Sequence, residues 1–206
     1  MTKTYNMKQE YTYWLALANA ENIYTRRKNE ILAKIHEDNS SLSYFFTEEN
    51  NWKSSFDLSQ DEIQSLLQEK EKLNNYSFIV EDLLEQGYQI IPIFSYDYPK
   101  TLKKNLKFSS PILLYAYGNI ELLNKESVAI VGSRNANDTS LNFTDNIASL
   151  SVSDGLVVVS GYAKGVDRQA LDSAIRNGGS SIIVLPQGIT TFSSGFTSLY
   201  KEISSG

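Results

Sequence analysis

An alternation in the second half limits the possible folds of this chain more than anything else in it. Short runs rich in Val and Ile occupy residues 127–131, 156–159 and 181–185, and a further apolar run lies at 112–117. These runs lack polar–apolar alternation, which is the pattern of parallel strands covered on both faces. Between them, residues 139–152 place Phe143, Ile147 and Leu150 at helical spacing, and residues 167–177 do so with Ala170, Leu171, Ala174 and Ile175. Gly178-Gly179 closes the second helix. A β-α-β-α-β order implies right-handed crossovers and a doubly wound α/β sheet.

The first half reads differently. Tyr11, Trp14, Leu15 and Leu17 recur at helical spacing, and Ile23, Ile31, Leu32 and Ile35 continue the pattern. Residues 39–51 are rich in Ser, Asn and Thr and read as loop, apart from Tyr44-Phe45-Phe46. Ser59 before Asp61 and Glu62 is an N-cap with an acidic first turn, opening a helix to about Leu73. A further helix over 78–86 stops at Gly87. The period then changes, and residues 88–94 read as a strand that Pro92 marks as an edge. These changes divide the chain into a helical domain, 1–87, and an α/β domain, 88–206.

Charge follows a similar division. The net charge of −5 speaks against a histone-like basic binder. Residues 1–98, however, hold 9 basic and 16 acidic side chains, whereas 99–206 hold 10 and 8. The acidity belongs to the first half. The absence of Cys excludes disulfides, thiolate nucleophiles and Cys-ligated zinc. The single His36 leaves no multi-His metal site, and the Asp residues share no metal-ligand spacing, so neither metal nor cofactor is assigned. Residues 1–10 lack the apolar core of a secretory signal, and no run spans a bilayer. A cytoplasmic protein is the expectation.

In a doubly wound sheet, ligands collect beyond the carboxyl ends of the strands. Two loops there have unusual sequences: Gly132-Ser133-Arg134 after one strand, and Ser160-Gly161-Tyr162-Ala163-Lys164-Gly165-Val166-Asp167 after the next. Each combines small residues, a hydroxyl and a cation, and each leads into a helix N-terminus, so together they suit phosphate. Arg134 can grip one phosphate bidentately and Lys164 another as a point charge. G-x-G-x-x-G, the P-loop pattern and G-x-S-x-G are all absent. Glycine and serine are equally the ordinary residues of α/β turns, and both readings stand on composition alone.

At these residues the sequence resembles the DNA-processing protein A family, also called Smf. The matching segments run in order from Tyr98-Pro99 and Leu102 through Pro111-Ile112-Leu113-Leu114-Tyr115 and Gly118-Asn119. Val128-Ala129-Ile130-Val131-Gly132-Ser133-Arg134, the Ser160 to Asp167 loop, and Gly178-Gly179 before Ile182 complete them. The resemblance implies a Rossmann-like domain after a small helical SAM-like one. It implies a single-stranded DNA-binding protein, not an enzyme, that protects incoming strands and loads a RecA-type recombinase during natural transformation. Carried over by position, Gly132, Ser133, Arg134, Ser160, Gly161, Lys164, Gly165 and Asp167 would line its phosphate pocket. Tyr162 would stack a base or pack the loop onto the sheet; Asp167 would cap its helix or fix Arg134 or Lys164.

Departures from the family pattern include Ala170-Leu171 in place of an Ala-His pair, Pro186 in place of Gly, and Phe192-Ser193-Ser194 in place of a Tyr-Pro step. Further strands and a winged helix, which carry the family's dimer and recombinase contacts, would come after Gly206. The expectation is therefore a fragment of a longer chain, with apolar strand surface left uncovered. Lys100, Lys103, Lys104 and Lys107 recur on one helical face, either as a solvated face or as a basic track for the strand. The enzyme alternative is a nucleoside monophosphate phosphoribohydrolase of the lysine-decarboxylase-like (LOG) type. A nucleotide-sensing domain of the same superfamily is a third reading.

Overall fold

The computed structural model describes residues 2–186 and 188–191. The chain forms two compact units, Met1–Tyr117 and Gly118–Gly206.

The first unit opens with α1 (Thr2–Asn19), α2 (Thr25–Glu37), α3 (Leu42–Thr47), α4 (Asn50–Phe56), α5 (Gln60–Glu71) and α6 (Leu73–Glu85). Residues 39–51, expected as loop, instead contribute to two short helices. Ser41 Oγ caps α3 by accepting the Tyr44 N–H at 3.1 Å. Phe45 and Phe46 pack edge-on against each other and both contact Trp52, whose indole N–H donates to the Phe45 carbonyl at 2.7 Å. Long-range aromatic burial thus overrides the polar local composition. At α5 the N-terminus agrees with the expectation: Ser59 and Glu62 form a reciprocal capping box. Gly87 adopts φ +83° after α6 and lets Tyr88 N–H reach back to the Leu83 carbonyl at 2.9 Å.

The same unit holds β1 (Gln89–Pro92), α7 (Lys100–Leu106) and β2 (Leu113–Ala116). The run at 112–117 does not join the parallel strands, as its composition suggested. It pairs antiparallel with β1 instead, with Ile90 opposite Tyr115 and Pro92 opposite Leu113. Pairing with β1 leaves one face partly open, so Tyr115 is exposed where a doubly covered strand would bury it. Pro92 ends its strand, as its missing N–H requires. Tyr98 is buried, its hydroxyl donating to the Pro111 carbonyl at 2.7 Å, and burial pushes its phenol up to about 12.

The second unit contains β3 (Ser127–Ala129), α8 (Asp138–Ser153), β4 (Val157–Ser160), α9 (Val166–Arg176) and β5 (Ser181–Ile183), followed by a 3-10 turn, Ile189–Thr191. The three strands lie in the order β3-β4-β5, all parallel, with Val128 opposite Val158 and Val159 opposite Ile182. This is the parallel α/β sheet that the alternation predicted, in the Rossmann-like form that the resemblance implied. Ala148, Val158, Ala170, Leu171 and Ala174 form one buried cluster with Tyr162, so α8 and α9 share one face of the sheet. Small side chains let the helices approach closely. A Cβ on Gly179 would come within 2.3 Å of Val152. The strands are not covered on both faces, as their apolar runs suggested: Ser127 and Ala129 of β3 are exposed and β5 is only half-buried, which agrees with the expectation of uncovered strand surface.

The departure at Phe192-Ser193-Ser194 and the family elements expected after Gly206 lie outside the described residues. Among the described residues no helix is long and apolar enough to cross a membrane.

Candidate functional site

The loops after β3 and β4 meet, and specific polar ties fix them. Ser160 donates its hydroxyl to the Ile130 carbonyl at 2.6 Å, joining the ends of the two strands. The Asp167 carboxylate, in the first turn of α9, accepts the Gly132 N–H at 3.0 Å. The Val166 N–H donates to the Ser133 carbonyl at 3.1 Å. Two backbone N–H groups that the sequence offered to an anion are therefore spent holding one loop against the other. A buried charged acceptor on a backbone N–H is the stronger kind of hydrogen bond, so Asp167 acts as a clamp between loops.

The glycines serve this contact. A Cβ on Gly132 would lie 2.8 Å from the Val166 side chain. Gly165 sits at φ +91°, and a Cβ there would come within 2.3 Å of the Ser133 carbonyl. Any other residue at 165 would be both strained and blocked.

On this base lies a cleft of about 460 Å³, lined by Arg134, Lys164, Gly165, Arg168, Gln169 and Asp172 among others. Arg134 and Lys164 are exposed, and neither makes an ion pair among the described residues. The structure thus brings together the two cations that the loops offered. Ser133 precedes Arg134 but does not line the cleft; its Oγ accepts the Asn135 N–H at 3.1 Å and keeps its own proton to donate. Ser160, Tyr162 and Asp167 are buried and do not line the cleft. Gly132, exposed, lies against Val166, and Gly161 against Asp167; neither lines the cleft.

Tyr162 has φ +56°, and its ring joins the apolar cluster beneath α9. The Arg168 guanidinium lies 4.9 Å above that ring, so the buried tyrosine holds a third cation at the cleft. Sequence reasoning missed Arg168. The available signal was a cation in the first turn of the helix that the second loop opens, four residues after Lys164. Arg168 also faces Asp172 across 3.5 Å, a weak exposed pair. Lys100, Lys103, Lys104 and Lys107 belong to the first unit. The first three lie on α7, and Lys107 follows its end at φ +50°, off the helical path. No group of three His, Cys, Asp or Glu side chains suited to a metal occurs among the described residues.

A parallel sheet with crossover helices and a cationic cleft formed by loops at the carboxyl ends of its strands defines a Rossmann-like α/β protein. The chain belongs to the DNA recombination-mediator protein A family, whose model matches residues 89–205. It is similar to DNA processing protein DprA of Streptococcus pneumoniae, 33% identical over 123 residues, which cover 58% of this chain and 43% of that one. Protein Smf of Synechocystis sp. is 28% identical over 191 residues, covering 87% of this chain and 45% of that protein. The X-ray structure of DNA processing protein A from Streptococcus pneumoniae superposes with a TM-score of 0.73 at 21% identity, over 93% of this chain and 64% of that one. That last likeness is one of fold. The chain spans less than half the length of these two curated relatives.

Proposed function

We propose that this chain binds single-stranded DNA through its phosphates, at the cleft between the loops after β3 and β4, without catalysing a reaction. The observation that carries the reading is the convergence of Arg134, Lys164 and Arg168 on one open cleft in a member of this family. Arg134 and Lys164 are unpaired among the described residues, so an incoming phosphate displaces no internal ion pair from them. The Ser133 hydroxyl, next to Arg134 in the chain, is a neutral donor on the same loop. Bound strand would then be protected and presented to a RecA-type recombinase, the role that the family resemblance implies.

Two readings of the site are separated by one pair of assays. Strand binding predicts an affinity for oligo-dT that falls steeply with salt, because each neutralised phosphate releases counterions. A phosphoribohydrolase would instead release free base from a nucleoside monophosphate. Salt-dependent binding with no base release supports the proposal, and base release from the purified chain contradicts it.

A further inference from the structure

The first unit carries an aromatic and basic surface of its own. The segment between β1 and α7 is fixed by tight turns: Ser95 N–H donates to the Pro92 carbonyl at 2.8 Å, and Tyr98 N–H to the Ser95 carbonyl at 3.2 Å. Tyr98 is anchored inward, and Tyr96, two residues earlier, points out with 85% of its surface exposed. Lys100 Nζ lies 5.3 Å from the Tyr96 ring centroid. Behind it, Phe94 is stacked on His36 at 4.8 Å and carries Lys103 Nζ at 4.9 Å. Lys103 Nζ also donates to the Ile93 carbonyl at 3.0 Å, which holds that lysine in place. Lys104, Lys107 and Phe108 are exposed beyond it. From residue 93 to 108 the only acid is Asp97.

A large ring held out in water by a rigid turn does nothing for the core. Burying it would contribute apolar stabilisation that this unit forgoes. Lys100 lies over it, and Lys103, Lys104 and Lys107 follow on the next segment with Asp97 the one acid between residues 93 and 108, so charge calls for an anionic partner and the exposed ring for one that also carries flat π surfaces. Single-stranded nucleic acid is that ligand: bases stack on aromatic rings while ammonium groups meet the backbone.

We infer that Tyr96 and the lysines of the α7 region form a second single-strand contact, Tyr96 stacking a base while Lys100, Lys104 and Lys107 meet neighbouring phosphates. This surface belongs to the first unit and goes beyond the cleft reading, so each can stand or fall alone.

The test uses the full chain and oligo-dT substituted with 5-iododeoxyuridine, irradiated and mapped by mass spectrometry. The expected result is a crosslink on Tyr96. Tyr96→Ala weakens oligo-dT binding about tenfold, as expected for one lost base stack. Tyr96→Phe retains binding, and an abasic deoxyribose-phosphate chain binds Tyr96→Ala and the unaltered protein equally. The comparison is repeated with Arg134→Ala and Lys164→Ala present. There the Tyr96 crosslink persists, whatever becomes of the cleft. Absence of the crosslink, or equal oligo-dT affinity with and without Tyr96→Ala, overturns the inference.

Discussion

In the unit of residues 1–117 the fully buried side chains are large: Trp52, Phe46, Leu17, Ile31 and Leu66. In the unit of residues 118–206 the core is built chiefly from Ala148, Val158, Ala170, Leu171 and Ala174. The polar groups that each buries differ too. Lys28 and Asn29 of the first unit reach helix and loop carbonyls, closing gaps between packed elements. Ser160 and Asp167 of the second tie strand-end loops together. Large side chains fill space between irregularly packed short helices, whereas small ones let two helices lie close on a sheet. The contrast locates the precision of each unit. The first concentrates it in its core, and the second at the mouth of its cleft.

Trp52→Ala strikes the first unit hardest. It should destabilise that unit by about 3–5 kcal/mol, the usual cost of deleting a buried tryptophan. Hydrogen exchange should show lost protection in α3 to α5, with β4 keeping its own. A uniform loss across both units would mean that they unfold as one.

Gly165→Ala should act on the second unit alone. The left-handed backbone costs about 1–3 kcal/mol for a residue with a side chain, and the contact with the Ser133 carbonyl adds to it. Denaturant melting should register the loss, and oligo-dT affinity should fall with it because the loops no longer meet. Full affinity in this variant would detach the glycine from the site.

A milder, electrostatic change returns to the first unit. Burial raises the Glu62 carboxyl, but hydrogen bonds from Ser59 and Arg27 outweigh it and hold its pKa below the usual carboxylate range. A depressed folded pKa stabilises above the unfolded value and is lost as pH falls through the folded one. Glu62→Gln should therefore cost about 1 kcal/mol at pH 7, a typical capping loss, and close to nothing at pH 2. Equal costs at both pH values would place the loss in packing.

Features encoded locally were legible in the sequence. The Ser59 cap, the stop at Gly87 and the three parallel strands each depend on neighbours within a few residues, or on short apolar runs that lack alternation. Features encoded by distant partners were not. The two helices at 42–56 exist because Phe45 and Phe46 find Trp52, and the antiparallel pairing of Leu113–Ala116 depends on Gln89–Pro92. Charge was legible only in part. Cut at residue 98 the second half looked basic, but residues 118–206 hold 6 basic and 8 acidic side chains, because the four lysines at 100–107 fall in the first unit. The cleft is cationic by local arrangement, with Arg168 recruited by a buried tyrosine, and net charge does not reveal it.

The decisive check on the cleft is the salt dependence of oligo-dT binding by a chain carrying Arg134→Ala and Lys164→Ala. Two lost phosphate contacts should weaken binding and reduce the magnitude of the log affinity against log salt slope by about 1.4, at roughly 0.7 per contact on a single strand. An affinity and a slope equal to those of the unaltered chain would contradict the assignment of the cleft.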